Sequence, residues 1–379
     1  MQIGINGWFL RFPNTGIGQY MRSLLKNLDS LRNDHEYLLF VDESTEQIPL
    51  TEKFKYIQVE HPYRFLHKDV KKTFWEQHVL YTAVKNHSLD FLHIPYFAPP
   101  ILKRMPVVMT IHDSSPLRFS LKNMGRVGVY DKLYRELFFS RIKKADEVIV
   151  VSAFLKTELL DLIEINADKI TVIPISASEE YRPIEKRDEI KRHIENYGIT
   201  KKYIFCVGDP SYRKNLFAVM DAYCSLPEEM KKQYDLVICG GSKYSNKYST
   251  YASQEPDNRI KQIGYATSDG DLPYLYNGAE LFVFPSRYEG FGIPPLEAMK
   301  CGVPVICNNS SNLKAVVADA GMLIDTENAE EMCAAIIKVL SDSGLQKKMS
   351  EKELERAAQF SWKKTAEETV KVYEKMRGA

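Results

Sequence analysis

The sequence predicts an α/β protein composed of two Rossmann-like domains, each a doubly wound parallel sheet covered by helices. Short apolar runs rich in β-branched residues alternate with segments of helical period along the whole chain. Strands that are apolar on both faces and separated by helices indicate parallel sheets buried on each side. The pattern restarts after a polar stretch at residues 176–200. We therefore expect two such domains facing each other across a cleft, with ligands at the carboxyl ends of the strands.

The individual elements follow from the apolar runs in chain order. In the first half, the strand candidates are QIGINGWF, EYLLFVD, KYIQVE, FLHIPY, PVVMTIHD, EVIVVS and ITVIPI. Helical segments lie between them, near residues 17–31, 68–86, 123–144 and 153–164. In the second half, the strand candidates are KYIFCVG, DLVICGG, RIKQIGY, ELFVFPS, VPVICN and GMLID. These runs place the first domain at residues 1–178 and the second at 179–362, with a C-terminal helix at about 363–379 that crosses back onto the first domain.

Charge and composition argue against several classes of protein. The 379 residues include 51 Lys and Arg against 50 Asp and Glu, a formal net charge of +1. A nucleic-acid binder normally has a clear surplus of basic residues, so we expect no nucleic-acid partner. No apolar run approaches the ~18 residues of a membrane-spanning helix, and the first residues, MQIGINGWFLRF, lack the pattern of a secretory signal. The six cysteines show no CxxC pair and fit reduced core residues, so we expect a cytoplasmic protein.

The most informative segment is FPSRYEGFGIPPLEAMKCGVPVI, at residues 284–306. A strand ends here, a glycine-bearing loop follows, and Pro294 and Pro295 suit the first turn of a helix. Gly290 and Gly292 would allow backbone N–H groups to approach a ligand in front of the helix N-terminus. The segment therefore predicts a binding loop for sugar oxygens or negative charge.

Two carboxylates flank this glycine loop. Glu289 precedes it, and Glu297 follows eight positions later, in what we expect to be the first turn of the helix. A carboxylate can accept two hydrogen bonds from neighbouring hydroxyls, such as those of a ribose. The alternative is that Glu297 only complements the helix dipole. Two acids around a Gly-Phe-Gly loop favour ligand binding over that alternative.

A second motif, VGDPSYRKN at residues 207–215, follows the first strand of the second domain. Arg213 supplies a planar fork and Lys214 a point charge, and together they are suited to neutralising a diphosphate. The alternative is a solvated basic turn. The position directly after a strand favours the binding interpretation.

The first domain has two weaker signals. In FPNTGIGQY, Gly16 and Gly18 are compatible with a phosphate-binding loop, but Met21 stands where a dinucleotide fingerprint has its third glycine. In TIHDSSP, His112 follows a strand directly, which makes it the best acid, base or sugar-contact candidate of this domain. A structural histidine is the alternative.

The sequence gives no sign of a metal site. The triplet Asp269-Gly270-Asp271 resembles a DxD cation motif, but it immediately precedes a helical segment, so we expect Asp271 to be a helix N-cap. No His, Cys and Asp cluster has zinc-like spacing, and GxxxxGK[ST] is absent. We therefore expect no metal and no cofactor.

One basic, aromatic segment is compatible with a membrane surface. Residues 128–145 mix apolar positions with five Lys and Arg residues. Such a helix can lie on anionic lipid at the inner face of a membrane. A helix packed on the sheet with a charged outer face explains the same pattern, and we favour that explanation.

These motifs together resemble the retaining glycosyltransferases of family 4, which have the GT-B fold. The resemblance spans nearly the whole chain, through NTGIGQY, TIHDSSP, VIVVSAF, VGDPSYRKNL, the block from IGYA to VPVI, DAGMLID and FSWKKTA. Glu289 and Glu297 match the family's E-x7-E motif, its most specific element. One departure is at residues 312–316, NLKAV, where many members have Asn-Leu-Pro-Glu-Val, and this puts a role for the loop around 310–316 in doubt.

The resemblance also implies roles for single residues. Glu297 would hold the ribose of a nucleotide-sugar donor, and Arg213 and Lys214 its diphosphate. Glu289 would hold the transferred sugar, together with the backbone of the glycine loop and with His112 from the first domain. The remaining implied donor contacts are Gly16 near the phosphates, Tyr265 near the base, and Gly290, Phe291, Gly292 and Ile293 in the loop.

The sequence therefore predicts a retaining, metal-independent hexosyltransferase of polysaccharide synthesis. The expected partners are a nucleotide sugar, UDP-glucose first and GDP-mannose next, and a saccharide or lipid-linked saccharide acceptor. Two other enzyme classes stay open. A sugar-nucleotide epimerase or a phosphorylase can share the GT-B fold, whereas a dinucleotide-dependent oxidoreductase is disfavoured by the incomplete glycine fingerprint.

Overall fold

The computed structural model divides the chain into two compact units. It describes residues 1–13, 15–60, 68–98, 103, 105–114, 141–241, 251, 253, 258–266 and 270–378. The first unit comprises Met1–Ile175 together with Ser361–Ala379, and the second comprises Ser176–Phe360. The chain therefore passes from one unit to the other twice.

The first unit contains a parallel sheet of seven strands. They are β1 (Gln2–Asn6), β2 (Glu36–Asp42), β3 (Phe54–Val59), β4 (Phe91–Ile94), β5 (Val107–Ile111), β6 (Glu147–Val150) and β7 (Ile170–Val172). Their order in the sheet is β3-β2-β1-β4-β5-β6-β7, and every pairing is parallel. The strand order reverses between β1 and β4, which is the topological switch point of a Rossmann sheet.

Helices cover this sheet. Those described are α1 (Gly16–Ser30), α2 (Lys68–Phe74), α3 (Leu80–Val84), α4 (Ala153–Leu162) and the C-terminal helix Trp362–Lys375, with a π-helical turn at Trp75–Val79. Thr15 caps α1, because its side chain accepts a hydrogen bond from the Gly18 N–H. The C-terminal helix packs on α1 within the unit, and its Trp362 ring lies 5.7 Å from that of Tyr20.

The second unit repeats the same topology with six parallel strands. They are β8 (Lys202–Val207), β9 (Tyr234–Cys239), β10 (Ile260–Gly264), β11 (Leu281–Phe284), β12 (Val305–Asn308) and β13 (Met322–Ile324). Their order is β10-β9-β8-β11-β12-β13, so the switch point lies between β8 and β11. The strands are almost wholly apolar and buried, as expected for a sheet covered on both faces.

The helices of the second unit begin with α5 (Arg187–Glu195), α6 (Leu216–Cys224), α7 (Glu228–Gln233) and α8 (Asp271–Asn277). They continue with α9 (Ile293–Lys300), α10 (Leu313–Val317), α11 (Ala329–Ser341) and α12 (Ser343–Ala357); the C-terminal helix of the first unit is α13. The core between sheet and helices is apolar and closely packed around Val219, Ile238, Val283 and Ile336.

The fold class predicted from the sequence is confirmed, because each of the thirteen predicted runs contains a strand. The first run is shorter than predicted: β1 ends at Asn6, and Trp8–Arg11 forms a 3-10 helix instead. None of the six cysteines, which all lie within the described ranges, forms a disulfide. Within the described ranges, no helix has both the length and the apolar character needed to cross a bilayer.

The basic segment at residues 128–145 is only partly visible. Residues 128–140 lie outside the described part of the chain. Of the remainder, Ile142 and Ala145 are fully buried, and Lys143 pairs with Glu164 at 3.4 Å.

Candidate active site

Three charged side chains meet at the switch point of the second unit. The loop after β8 carries Arg213 and Lys214, and the loop after β11 carries Glu289. Because β8 and β11 are neighbours in the sheet, both loops leave the same edge side by side. The two motifs, expected from the sequence at a common site, therefore meet at this edge of the sheet.

The Glu289 carboxylate forms an ion pair with each of the two cations. Lys214 Nζ lies 2.7 Å from Glu289 Oε1, and Arg213 Nη1 lies 3.0 Å from Glu289 Oε2. The side chains are 13%, 29% and 12% exposed for Lys214, Arg213 and Glu289, so the cluster is partly desolvated. Burial alone would raise the pKa of Glu289, but the two cations outweigh it and hold this pKa below its ordinary value. Two cations thus share one ionised carboxylate.

Further contacts fix the two loops to each other. The Arg287 N–H donates to the Arg213 carbonyl at 2.8 Å, and Arg213 Nη1 donates to the Tyr288 carbonyl at 3.2 Å. The buried Ser286 hydroxyl donates to Glu289 Oε1 at 2.7 Å. Ser286 was not predicted from the sequence, although it lies just after a strand, as the predicted residues of this site do.

The Gly-Phe-Gly loop has a conformation that requires glycine at its last position. Gly292 has φ of 113°, and a Cβ atom there would lie 2.8 Å from the Leu313 side chain. Helix α9 begins immediately after it, with Pro294 and Pro295 in the first turn as predicted. Proline has no N–H, and the Leu296 N–H donates to the Gly292 carbonyl at 3.4 Å, so the first turn of α9 offers a ligand the Ile293 N–H rather than a full set of N–H groups.

The loop around 310–316 supports this glycine loop. The buried Asn312 side chain donates to the Phe291 carbonyl at 2.8 Å, and the Ser311 hydroxyl accepts from the Glu289 N–H at 3.1 Å. The loss of the Pro and the acid of the family pattern puts a role for this segment in doubt. Asn312, which the chain keeps, is the residue that contacts the glycine loop.

Glu297 occupies a different environment from the predicted one. It is the fifth residue of α9, past the first turn, and only 5% exposed, so it does not serve as a helix-dipole partner. Its Oε2 accepts a hydrogen bond from the Tyr276 hydroxyl at 2.7 Å, and the Tyr181 hydroxyl also interacts with the carboxyl group. Burial raises the pKa of Glu297 to about 7, against the opposing effects of the two hydroxyls and Lys214. The sequence analysis identified neither tyrosine.

The remaining residues predicted for the second domain also follow its strands. Tyr265 comes directly after β10 and is 73% exposed, so its ring is open to a stacking partner. Gly290 is the first residue of the Gly-Phe-Gly loop and follows Glu289 directly, and Ile293 is the first residue of α9. Arg213, Lys214, Glu289 and the loop are thus brought together in the second unit.

His112 lies in the first unit, directly after β5 as predicted. Its Nε2 lies 3.0 Å from the Pro95 carbonyl, and its ring meets that of Tyr20 edge to face at 4.4 Å. A carbonyl can only accept, so Nε2 carries the proton and Nδ1 is the acceptor of the neutral ring. Burial lowers the pKa of His112, against the raising effects of the Pro95 carbonyl and of Asp113.

The two glycines after β1 differ in their surroundings. Gly16 is the first residue of α1, is exposed, and has open space where a Cβ atom would stand. A Cβ atom on Gly18 would overlap the Phe12 carbonyl, so this glycine is needed for packing. The space beside Gly16 is therefore open, and its contact with a phosphate stays a prediction.

Asp271 is not the helix N-cap that the sequence suggested. Helix α8 begins at Asp271 itself, with Gly270 at the N-cap position. The Asp271 carboxylate instead contacts His193 Nδ1 at 2.8 Å and accepts from the Tyr197 hydroxyl at 2.7 Å. Asp269 lies outside the described residues. Across the described parts of both units, no group of three or more His, Cys, Asp and Glu is arranged to hold a metal ion.

Comparisons with known protein families place each half of the chain. Residues 14–176 match the family model Glycosyltransferase Family 4, and residues 187–356 match the model Glycosyl transferases group 1. The second match contains Arg213, Lys214, Glu289 and Glu297, and the first contains His112.

Individual proteins resemble the chain over almost its full length. The O-antigen chain mannosyltransferase B of Escherichia coli is 30% identical over 386 residues, covering 96% of this chain and 97% of that protein. The sucrose-phosphate synthase of Thermosynechococcus elongatus has a TM-score of 0.78 at 18% identity, covering 100% of this chain and 99% of that one. Anabaena Alr3699/HepE, solved with UDP and glucose, has a TM-score of 0.71 at 17% identity, covering 99% of both chains. The chain thus belongs to glycosyltransferase family 4, has the GT-B fold and is a glycosyltransferase of the bacterial polysaccharide type.

Proposed function

We propose that this glycosyltransferase moves a hexose from a nucleoside diphosphate sugar to a hydroxyl group of a saccharide or lipid-linked saccharide. The observation that carries the proposal is the convergence of Arg213 and Lys214 on Glu289 at the switch point of the second sheet. Two cations in a partly desolvated position are suited to a diphosphate, and a carboxylate between them is suited to sugar hydroxyls.

The chemistry of the transfer explains why cations are needed there. Breaking the bond between the sugar carbon and the phosphate oxygen develops positive charge on the sugar ring and negative charge on the departing diphosphate. Arg213 and Lys214 stabilise the second of these charges, and each such contact contributes about 3 kcal/mol if an oxyanion donor is a fair guide. No metal ion is required in this scheme, so we expect activity to persist in a chelator.

We further propose that the transfer retains the configuration of the anomeric carbon. In the proposed reaction the departing phosphate oxygen takes the proton of the acceptor hydroxyl on the face that it leaves. The new bond then forms on that face, and the anomeric configuration of the sugar is retained. NMR of the product with a donor of known anomeric configuration tests this step, because an inverted anomeric centre would contradict it.

For the donor, we propose a mannosyl nucleotide, GDP-mannose, ahead of UDP-glucose. The support is the name of the relative that is 30% identical over nearly the whole chain, a mannosyltransferase of O-antigen chains. The base would meet mostly backbone near Gly264 and the exposed Tyr265, so side chains do not select it. This ordering reverses the one drawn from the sequence.

The direct test is a transfer assay with a panel of donors. The purified protein is incubated with GDP-mannose, UDP-glucose and ADP-glucose in the presence of an oligomannoside or a lipid-linked acceptor, with and without EDTA. We expect a lengthened saccharide from one donor, unaffected by EDTA. Free sugar with a changed configuration would indicate an epimerase, and a phosphate-dependent release of sugar phosphate would indicate a phosphorylase.

We also propose that the protein acts in the cytoplasm. Peripheral attachment to the inner face of a membrane through residues 128–145 stays a prediction. Sedimentation with vesicles that contain phosphatidylglycerol tests it. Binding that falls with added salt would support the attachment, and no binding would contradict it.

A further inference from the structure

Two tyrosines enclose the carboxyl group of Glu297. Tyr276, from α8, donates to Glu297 Oε2 at 2.7 Å, and the Tyr181 hydroxyl interacts electrostatically with the same carboxyl group. Their rings meet edge to face with centroids 5.6 Å apart. Because each carboxylate oxygen has two lone pairs, the group can still accept hydrogen bonds from a ligand.

Both tyrosines are held firmly by the rest of the second unit. The Tyr276 ring is fully buried and lies 5.2 Å from the rings of Phe205 and Phe282. Tyr181 lies five positions after the start of the unit, on a segment that is tied to α9. The Lys300 ammonium donates to the Ala177 carbonyl in that segment at 3.0 Å. The two hydroxyls therefore have fixed positions, and they orient the Glu297 side chain.

The same hydroxyls influence whether Glu297 is ionised. Burial raises the pKa of this carboxyl to about 7, while hydrogen bonds to the carboxylate and the charge of Lys214 act to lower it. The other titratable groups that interact with it are the thiols of Cys239 and Cys301, which burial keeps neutral by raising their pKa. The two hydroxyls and one ammonium are thus the groups that favour the charged form.

We propose that Tyr276, with the Tyr181 ring packed edge to face against it, is a positioning residue for ribose recognition: by donating to Glu297 Oε2 it orients the carboxylate to accept hydrogen bonds from both hydroxyls of the donor's ribose. This inference rests on the proposed function and on Glu297 as the residue that holds the ribose of the donor. It assigns the selectivity for ribose over 2′-deoxyribose to a tyrosine pair outside the E-x7-E motif.

The test compares ribonucleotides with their 2′-deoxy analogues. Calorimetry measures the Kd of GDP, UDP, dGDP and dUDP for the wild-type chain, Tyr181→Phe, Tyr276→Phe and the control Tyr203→Phe, at pH 7 and pH 8.5. Tyr203 is a matched control because it is a buried tyrosine of the same unit whose hydroxyl donates to the Leu275 carbonyl instead.

The wild type is expected to prefer the ribonucleotide by about tenfold, the value of a charge-assisted hydrogen bond. Loss of either hydroxyl raises the pKa of Glu297 further, so at pH 7 the preference should fall to about twofold in both variants. At pH 8.5, where the carboxyl is ionised again, the preference should return. The control should keep the wild-type preference at both pH values.

The possible results distinguish a failure of the tyrosine inference from a failure of the proposed function. A wild-type preference that persists unchanged in both tyrosine variants overturns the inference and leaves the function standing. Nucleotide binding by the wild type without any preference for ribose also overturns the inference and leaves the proposed function standing. A wild-type chain that binds no nucleotide overturns the proposed function and the inference together.

Discussion

Lys214 and Glu289 lie 2.7 Å apart at the switch point of the second sheet, although they are on loops that follow different strands. Arg213 reaches the other oxygen of the same carboxylate at 3.0 Å. The Glu289 carboxylate therefore contacts both of the cations that a diphosphate would need, and it partly neutralises their charge. This competition has measurable consequences.

Replacing Glu289 by Gln should change affinity and turnover in opposite directions. The amide removes the negative charge that competes with a diphosphate, so the affinity for a free nucleoside diphosphate should rise about three- to tenfold. Transfer should fall about 100-fold, because a neutral amide is a weaker acceptor for the hydroxyl groups of the transferred sugar. Calorimetry and donor turnover measure the two quantities. Weaker nucleotide binding in E289Q would contradict the competition.

The glycine loop should not tolerate a side chain at its last position. Gly292→Ala forces alanine to φ of 113° and against Leu313, so we expect a loss of about 2 kcal/mol in the free energy of unfolding. Donor turnover should fall as well, since the loop precedes α9. Gly270→Ala is the matched control, because its φ is −101° and its surroundings are open. Urea denaturation measures the free energy of unfolding of both variants, and equal values would show that residue 292 can carry a side chain without strain.

Glu297 should destabilise the fold at alkaline pH. Its pKa is raised from 4.5 to about 7, so folding takes up a proton between these values. The associated stability is fully present below pH 4.5 and is lost as the pH rises through 7. Glu297→Gln removes this titration. From pH 4.5 to pH 8, the wild type should therefore lose about 3 kcal/mol of unfolding free energy relative to the variant. A difference that does not change with pH would show that Glu297 titrates normally.

His112 should contribute to turnover as a neutral ring. Burial lowers its pKa, so its charge should not change above the ordinary value of 6.5. His112→Ala should reduce transfer about 10- to 100-fold, and the loss should be constant from pH 7 to pH 8.5. The exposed His78 provides the control for histidine loss. If both variants kept wild-type turnover, His112 would have only a structural role.

The sheet topology accounts for what could be predicted about the site. Arg213, Lys214 and Glu289 were recognised because each follows a predicted strand. A common position for the three was expected, whereas the ion pairs between them depend on β8 and β11 being neighbours in the sheet, as the strand order of a doubly wound sheet makes them.

The environment of Glu297 could not be read from the chain. A glutamate eight positions after another in a proline-rich segment gives no sign of burial, and its partners Tyr181 and Tyr276 are far away in sequence. Asn312 is a similar case, because its contact with Phe291 joins separate loops. Hydrogen bonds between side chains brought together by packing leave no periodic signal in the sequence.

The most direct test of the nucleotide-sugar site is the binding of a nucleoside diphosphate to Lys214 and its neighbours. Calorimetry would titrate GDP, UDP and ADP into the wild type, Lys214→Ala and the control Lys202→Ala, whose lysine pairs with Glu280 at 3.2 Å at the other end of β8. We predict that one nucleotide binds the wild type and the control equally and binds K214A at least about 100-fold more weakly. Equal binding by all three proteins, or no binding by the wild type, would contradict the account.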